Sequence, residues 1–169
     1  MKKIVAFFLI FAVAATLLGC TPPPNEYEEP VKFYYLRSEL NYGSSDSVIS
    51  HELFEAEGHR DDYEYLIRQY LKGPTSDALA RTFPRNVSVS GFSVEADHAY
   101  LELSSQFSIL SGMDLSIACA CLTKTITELT GTKTLHISAD NSLLDGATSI
   151  TMRVEDVLLL DISAEEAPN

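Results

Sequence analysis

Between Val31 and Asp161 the apolar residues switch repeatedly between two spacings, every second residue and every third or fourth. Strand side chains alternate between two faces, whereas helix side chains return to one face every 3.6 residues. A chain that keeps switching is neither all-helical nor all-β. Its apolar faces must bury against one another, which predicts a single α+β domain.

Val31 to Leu36 is rich in β-branched and aromatic residues and predicts a strand. Val48 to Glu55 predicts a second strand pairing back on the first, after a polar loop through Asn41, Gly43 and Asp46. A helix follows, capped by Asp61 or Asp62 and running to about Lys72, with Tyr63, Leu66, Ile67, Tyr70 and Leu71 on one face. Gly73-Pro74 ends it. Val87 to Ala96 alternates but changes phase at Gly91, the mark of a bulge. After a tight turn at Asp97-His98, the inward phase continues through Ala99, Leu101 and Leu103. Ser111 opens a second helix, with Asp114 completing an imperfect capping box. Leu115, Ala118, Leu122, Ile126 and Leu129 form its stripe, and Gly131 closes it. Leu135, Ile137 and Ala139 mark a strand, and Ile150–Val154 and Val157–Asp161 are weaker candidates. The expected architecture is two amphipathic helices packed on one face of a mixed, mostly antiparallel sheet. Val31–Leu36 is the expected free edge, because it starts the fold beside the N-terminal segment.

That N-terminal segment is an address. Lys2 and Lys3 precede an apolar run from Ile4 to Leu18, too short to span a bilayer as a stable helix. Leu17-Leu18-Gly19-Cys20 then matches a bacterial lipobox, with the small Gly19 before the cut and the Cys20 thiol available for a thioether to lipid. An uncleaved anchor with an incidental cysteine explains this order less well. Residues 1–19 are thus a lipoprotein signal peptide. Residues 20–30 are a lipidated cysteine and a tether, stiffened by Pro22-Pro23-Pro24 toward polyproline II. Residues 31–161 are the domain and 162–169 a frayed tail. Twelve basic against 24 acidic residues make the net charge −12, and loss of Lys2 and Lys3 on cleavage leaves −14. Such a chain is a poor nucleic-acid partner. Acyl chains would hold it at the membrane despite its charge, at about 0.8 kcal/mol per buried methylene. The expected location is the outer face of the bacterial cytoplasmic membrane.

An ordered set of short motifs narrows the fold further. Tyr70-Leu71-Lys72-Gly73-Pro74, Phe83-Pro84, Val87-Ser88-Val89, Ala99-Tyr100-Leu101-Glu102-Leu103-Ser104, Phe107, Leu122-Thr123, Leu129-Thr130-Gly131 and Leu135-His136-Ile137-Ser138-Ala139-Asp140 together resemble the GerM domain. The resemblance covers about residues 31–140. It implies a fold like the ring-building motifs that pack side by side in secretion rings. It further implies a role in sporulation or spore germination, a lipoprotein of the cell envelope, no catalytic residues and no cofactor. The chain carries one such unit, where some relatives carry two.

Motifs for chemistry are sparse. Cys119 and Cys121 lie about 200° apart on a helix, so they are expected to be reduced, packed as small hydrophobes and free of metal. His51, His59, His98 and His136 lack metal-ligand spacing and read as solvated, with His136 on the outward phase of its strand. No G-x-S-x-G elbow, phosphate-binding glycine loop or calcium loop occurs, and Asp140–Gly146 reads as a turn-rich connection. The catalytic, cofactor and metal sets are expected to be empty, with Cys20 the lipid site. Two function classes follow. The first is a lipid-anchored, non-catalytic module that assembles with protein partners of an envelope or sporulation complex, including copies of itself. The alternative is a lipid-anchored hydrolase or ligand-binding receptor acting on cell-wall material.

Overall fold

A computed structural model describes residues 30–39 and 48–157. The expected signal peptide at 1–19, Cys20, the expected tether at 20–29, the expected polar loop at 41–46, the positions 158–161 of the last candidate strand and the expected tail lie outside these residues.

The fold is α+β, with strands divided between two sheets rather than gathered in one. The first sheet has the order β2-β1-β3. Strand β1 (Val31–Arg37) pairs antiparallel with β2 (Ile49–Phe54), from Val31 opposite Phe54 to Leu36 opposite Ile49. On its other side β3 (Leu79–Ala80) pairs with Arg37 and Leu36. β1 is therefore the middle strand, and the expectation that it forms the free edge is corrected. The reason lies in its composition. Val31, Phe33 and Tyr35 bury one face and Tyr34 the other, and a strand apolar on both faces belongs inside.

Helix α1 (Tyr63–Tyr70) starts where expected, as Asp62 Oδ1 accepts the Tyr65 N–H at 3.0 Å. It ends two residues earlier than Lys72, because Lys72 N and Gly73 N donate to the carbonyls three residues back, tightening the last turn. Gly73 sits at φ +88°, and a Cβ there would meet the Arg81 guanidinium at 2.7–2.9 Å. That guanidinium donates to the Leu71 carbonyl at 2.9 Å. Tyr70 locks α1 to β1. Its hydroxyl donates to the Tyr34 carbonyl at 2.9 Å, and its own carbonyl accepts the Tyr35 hydroxyl at 2.8 Å. The two rings stack at 4.9 Å, and Phe83 lies 5.2 Å from Tyr70.

The second sheet has the order β4-β5-β6-β7. β4 (Val89–Glu95) and β5 (His98–Leu103) form an antiparallel hairpin, with the expected irregularity between Val89 and Gly91. The turn is Ala96-Asp97, not Asp97-His98. Asp97 is held there because its carbonyl accepts the Lys133 and Thr134 N–H groups at 2.9 and 3.1 Å. His98 is thereby released into β5. A short 3₁₀ helix (Ser105–Ile109) with buried Phe107 leads to helix α2 (Gly112–Thr130). Ser111 is the N-cap residue, though its side chain makes no capping bond, so the expected capping box is absent. Gly131 closes the helix at φ +71°. β6 (Thr134–Ala139) lies parallel to β5, and β7 (Ile150–Arg153) antiparallel to β6. Residues 140–147 are turn-rich, with Asn141 and Asp145 in the left-handed region.

Helix α2 is buried on more than the single expected stripe. Leu115, Ala118, Cys119, Leu122 and Ile126 join the main core with Leu101, Leu135 and Ile137. Ala120 and Cys121 join a second cluster with Tyr34 and Ile49. Between these faces Thr125 Oγ1 accepts the Tyr34 N–H at 3.0 Å. Among the described residues no helix is long and apolar enough to cross a membrane.

Candidate functional site

Both helices contact the second sheet. The side that carries Ala99, Leu101, Leu103, Leu135 and Ile137 faces the core. Strand alternation then sends His98, Tyr100 and Glu102 of β5, with His136 and Ser138 of β6, to the outer face. Register brings them together: Tyr100 lies opposite His136, and His136 opposite Thr151 of β7.

His98 Nδ1 and His136 Nε2 are 3.0 Å apart. His136 Nδ1 lies 2.9 Å from Thr151 Oγ1. The Tyr100 ring stacks on His136 at 4.5 Å and 9°. A neutral imidazole offers one donor and one acceptor nitrogen, so this chain of bonds runs in either direction. Two charged imidazoles cannot share it, since two N–H groups would then face each other. Beside these rings a shallow depression of about 440 Å³ is lined by Phe92, Tyr100, Glu102, His136, Ser138 and Ser149. Phe92 and Ser93 also line a groove of about 770 Å³ between β4 and residues 58–64. β4 is an outermost strand of its sheet, and Val94 and Tyr100 are both 39% exposed.

The other singled-out residues do not converge. Cys119 and Cys121 are buried and free, on opposite sides of α2 as their spacing implies, and burial pushes both thiols up to about 12. His59 stacks on Tyr65 at 4.1 Å, and His51 lies tilted against Tyr34. Tyr34, Tyr35 and Tyr70 are buried, while Tyr63 and Tyr65 are half-buried, so these tyrosines do not share one exposed face. Among the described residues no three or more His, Cys, Asp and Glu side chains gather as a metal centre. What the sequence did not reveal is the histidine pair, which is 38 residues apart in the chain. The outward phase of His136 was visible, but its parallel pairing with β5 was not.

Residues 32–145 match the Germane family, described as sporulation and spore germination. The chain belongs to the Germane family. Its match spans the elements from β1 through β6, and thus both the Tyr70 lock and the histidine pair. Among solved structures, the first GerMN domain of the sporulation protein GerM from Bacillus subtilis is similar, with a TM-score of 0.55 at 13% identity. The similarity covers 73% of this chain and 94% of that one. The tandem GerMN domains of the same protein give 0.53 at 19% identity, over 73% of this chain and 43% of the tandem. A Clostridium perfringens protein described as a lipoprotein gives 0.49 at 21% identity, over 75% and 90% of the two chains. At 13% and 19% identity the likeness to the two Bacillus subtilis structures is one of fold, and it supports the expected α+β class. No curated protein sequence matches this chain.

Proposed function

We propose that this Germane chain is a lipid-anchored, non-catalytic module of the bacterial envelope, assembling with protein partners during sporulation or spore germination. The observation that carries the reading is the family match over residues 32–145, which takes in nearly the whole described fold. The lipobox Leu17-Leu18-Gly19-Cys20 supports the anchor, with Cys20 as the lipid site on the outer face of the cytoplasmic membrane. The mechanism is positional. Lipid confines the module to a surface, the proline-rich tether sets its height, and confinement raises the effective concentration, so weak contacts suffice. β4 is the outermost strand to test first, since unpaired backbone groups at a sheet edge take up a partner strand.

The test has two arms. A clickable palmitate should label the wild type and leave Cys20→Ala unlabelled, and crosslinking in intact sporulating cells should capture partners only with the wild type. Equal labelling would overturn the anchor. Turnover of purified peptidoglycan by the wild type, abolished by a single Ser, His or acid substitution, would overturn the non-catalytic reading.

A further inference from the structure

We propose that His98 and His136 form a binding site for a divalent transition-metal ion on the outer face of the second sheet. The two imidazoles come from neighbouring parallel strands, and their facing nitrogens, Nδ1 and Nε2, are 3.0 Å apart. Two metal–nitrogen bonds of about 2.0–2.1 Å set their nitrogens ~2.9 Å apart at a right angle and ~3.3 Å apart at a tetrahedral one. The observed spacing falls between these limits, and both lone pairs converge on one ion when each ring turns by roughly 40° off the direct N···N line, a swing open to side chains on the outer face.

The surroundings prepare His136 for this role. Its Nδ1 lies 2.9 Å from Thr151 Oγ1. An Nδ1–H donated to that hydroxyl leaves Nε2 bare, the arrangement that outer-shell partners impose on ligating histidines. Tyr100, stacked on the ring at 4.5 Å, fixes its plane. Of the two directions open to this pair in the ion-free protein, the one that suits the site has His98 donating Nδ1–H to His136 Nε2. On binding, the ion sits beside the N···N line and that proton moves to His98 Nε2, so two neutral imidazoles release no net proton. Glu95 lies opposite His98 in the hairpin register and adds negative charge to the same face. The nearby cations Lys133 and Arg153 are each paired, with Asp97 and Glu155. Imidazole nitrogen favours Cu²⁺, Zn²⁺ and Ni²⁺ over Mg²⁺ and Ca²⁺, and water fills the remaining positions.

The proposal is independent of the assembly role and is tested on the full chain in detergent. Cu²⁺ and Zn²⁺ titrations at neutral pH should give one ion per chain. Thr151→Val should weaken binding about tenfold, and His98→Ala or His136→Ala at least as much. His51→Ala and His59→Ala should bind as the wild type does. Circular dichroism confirms that each variant is folded. As a readout needing no variant, Cu²⁺ should broaden the ring-proton resonances of two histidines, with two nitrogen couplings in its electron paramagnetic resonance spectrum. Wild-type binding no tighter than that of the His98→Ala/His136→Ala double variant would overturn the site, as would equal broadening of all four histidines.

Discussion

Replacing Tyr70 by Phe removes one oxygen from the centre of the fold. The ring remains and keeps its stack on Tyr35 at 4.9 Å and its contact with Phe83. What is lost is the hydroxyl that donates to the Tyr34 carbonyl in a buried 2.9 Å bond and stands beside the Thr125 and Thr82 side chains. Removing a donor from a buried acceptor costs about 1–3 kcal/mol, more than the bond's net worth of about 1 kcal/mol, because water cannot replace it. Tyr35→Phe is the matched control. It removes the donor to the Tyr70 carbonyl, but that carbonyl still accepts the Gly73 N–H at 3.0 Å. Its expected cost is therefore smaller, about 1 kcal/mol. Urea unfolding should show a lower midpoint for both variants at an unchanged slope, with Tyr70→Phe the more destabilised. The double variant should depart from additivity by about 0.5 kcal/mol or more, since both hydroxyls belong to one network. If Tyr70→Phe lies within about 0.5 kcal/mol of wild type, or Tyr35→Phe costs more, the two bonds do not lock α1 to β1 as argued.

Other expectations concern single groups. Burial pushes the Cys119 and Cys121 thiols up to about 12, so a thiol reagent at pH 8 should label neither in the folded protein and both in denaturant; rapid labelling of the native chain would contradict their packing. Burial tends to raise the Glu128 carboxyl, but hydrogen bonds from Tyr34 and Lys32, with the charges of Lys32 and Lys124, hold it below its ordinary 4.5. Its stabilisation is complete above that value and is lost as pH falls through the lower folded value, so Glu128→Gln should flatten the acid limb of the stability curve. Ala96 turns the hairpin at φ +52°, a conformation costly for a side chain with a Cβ. Ala96→Gly should raise stability by about 0.5–1 kcal/mol in thermal or urea unfolding, and a loss would show that the turn is not strained.

Local signals carried the element boundaries well. Asp62 caps α1, Gly73 and Gly131 end the helices, and the phase change at Gly91 falls where the hairpin register slips. Each is decided within a few residues by backbone sterics and hydrogen bonding, so a linear sequence displays it. The hairpin turn was displaced by one residue because its position is set by Lys133 and Thr134, which reach the Asp97 carbonyl from 36 and 37 residues away. The capping box failed for a related reason, since nothing in Ser111 and Asp114 themselves shows that the Ser111 side chain stays unbonded.

By itself the sequence determined the α+β class, the two helices, the inward phase of β5 and β6, and an acidic chain with Leu17-Leu18-Gly19-Cys20 ahead of its domain. All of these depend on local periodicity, charge or a contiguous motif. Only the tertiary structure decided that the strands form two sheets, that β1 lies inside one of them, and that α2 serves both cores. It alone placed His98 against His136, because strand pairing is a long-range choice and slipping a register by one residue turns every side chain to the opposite face.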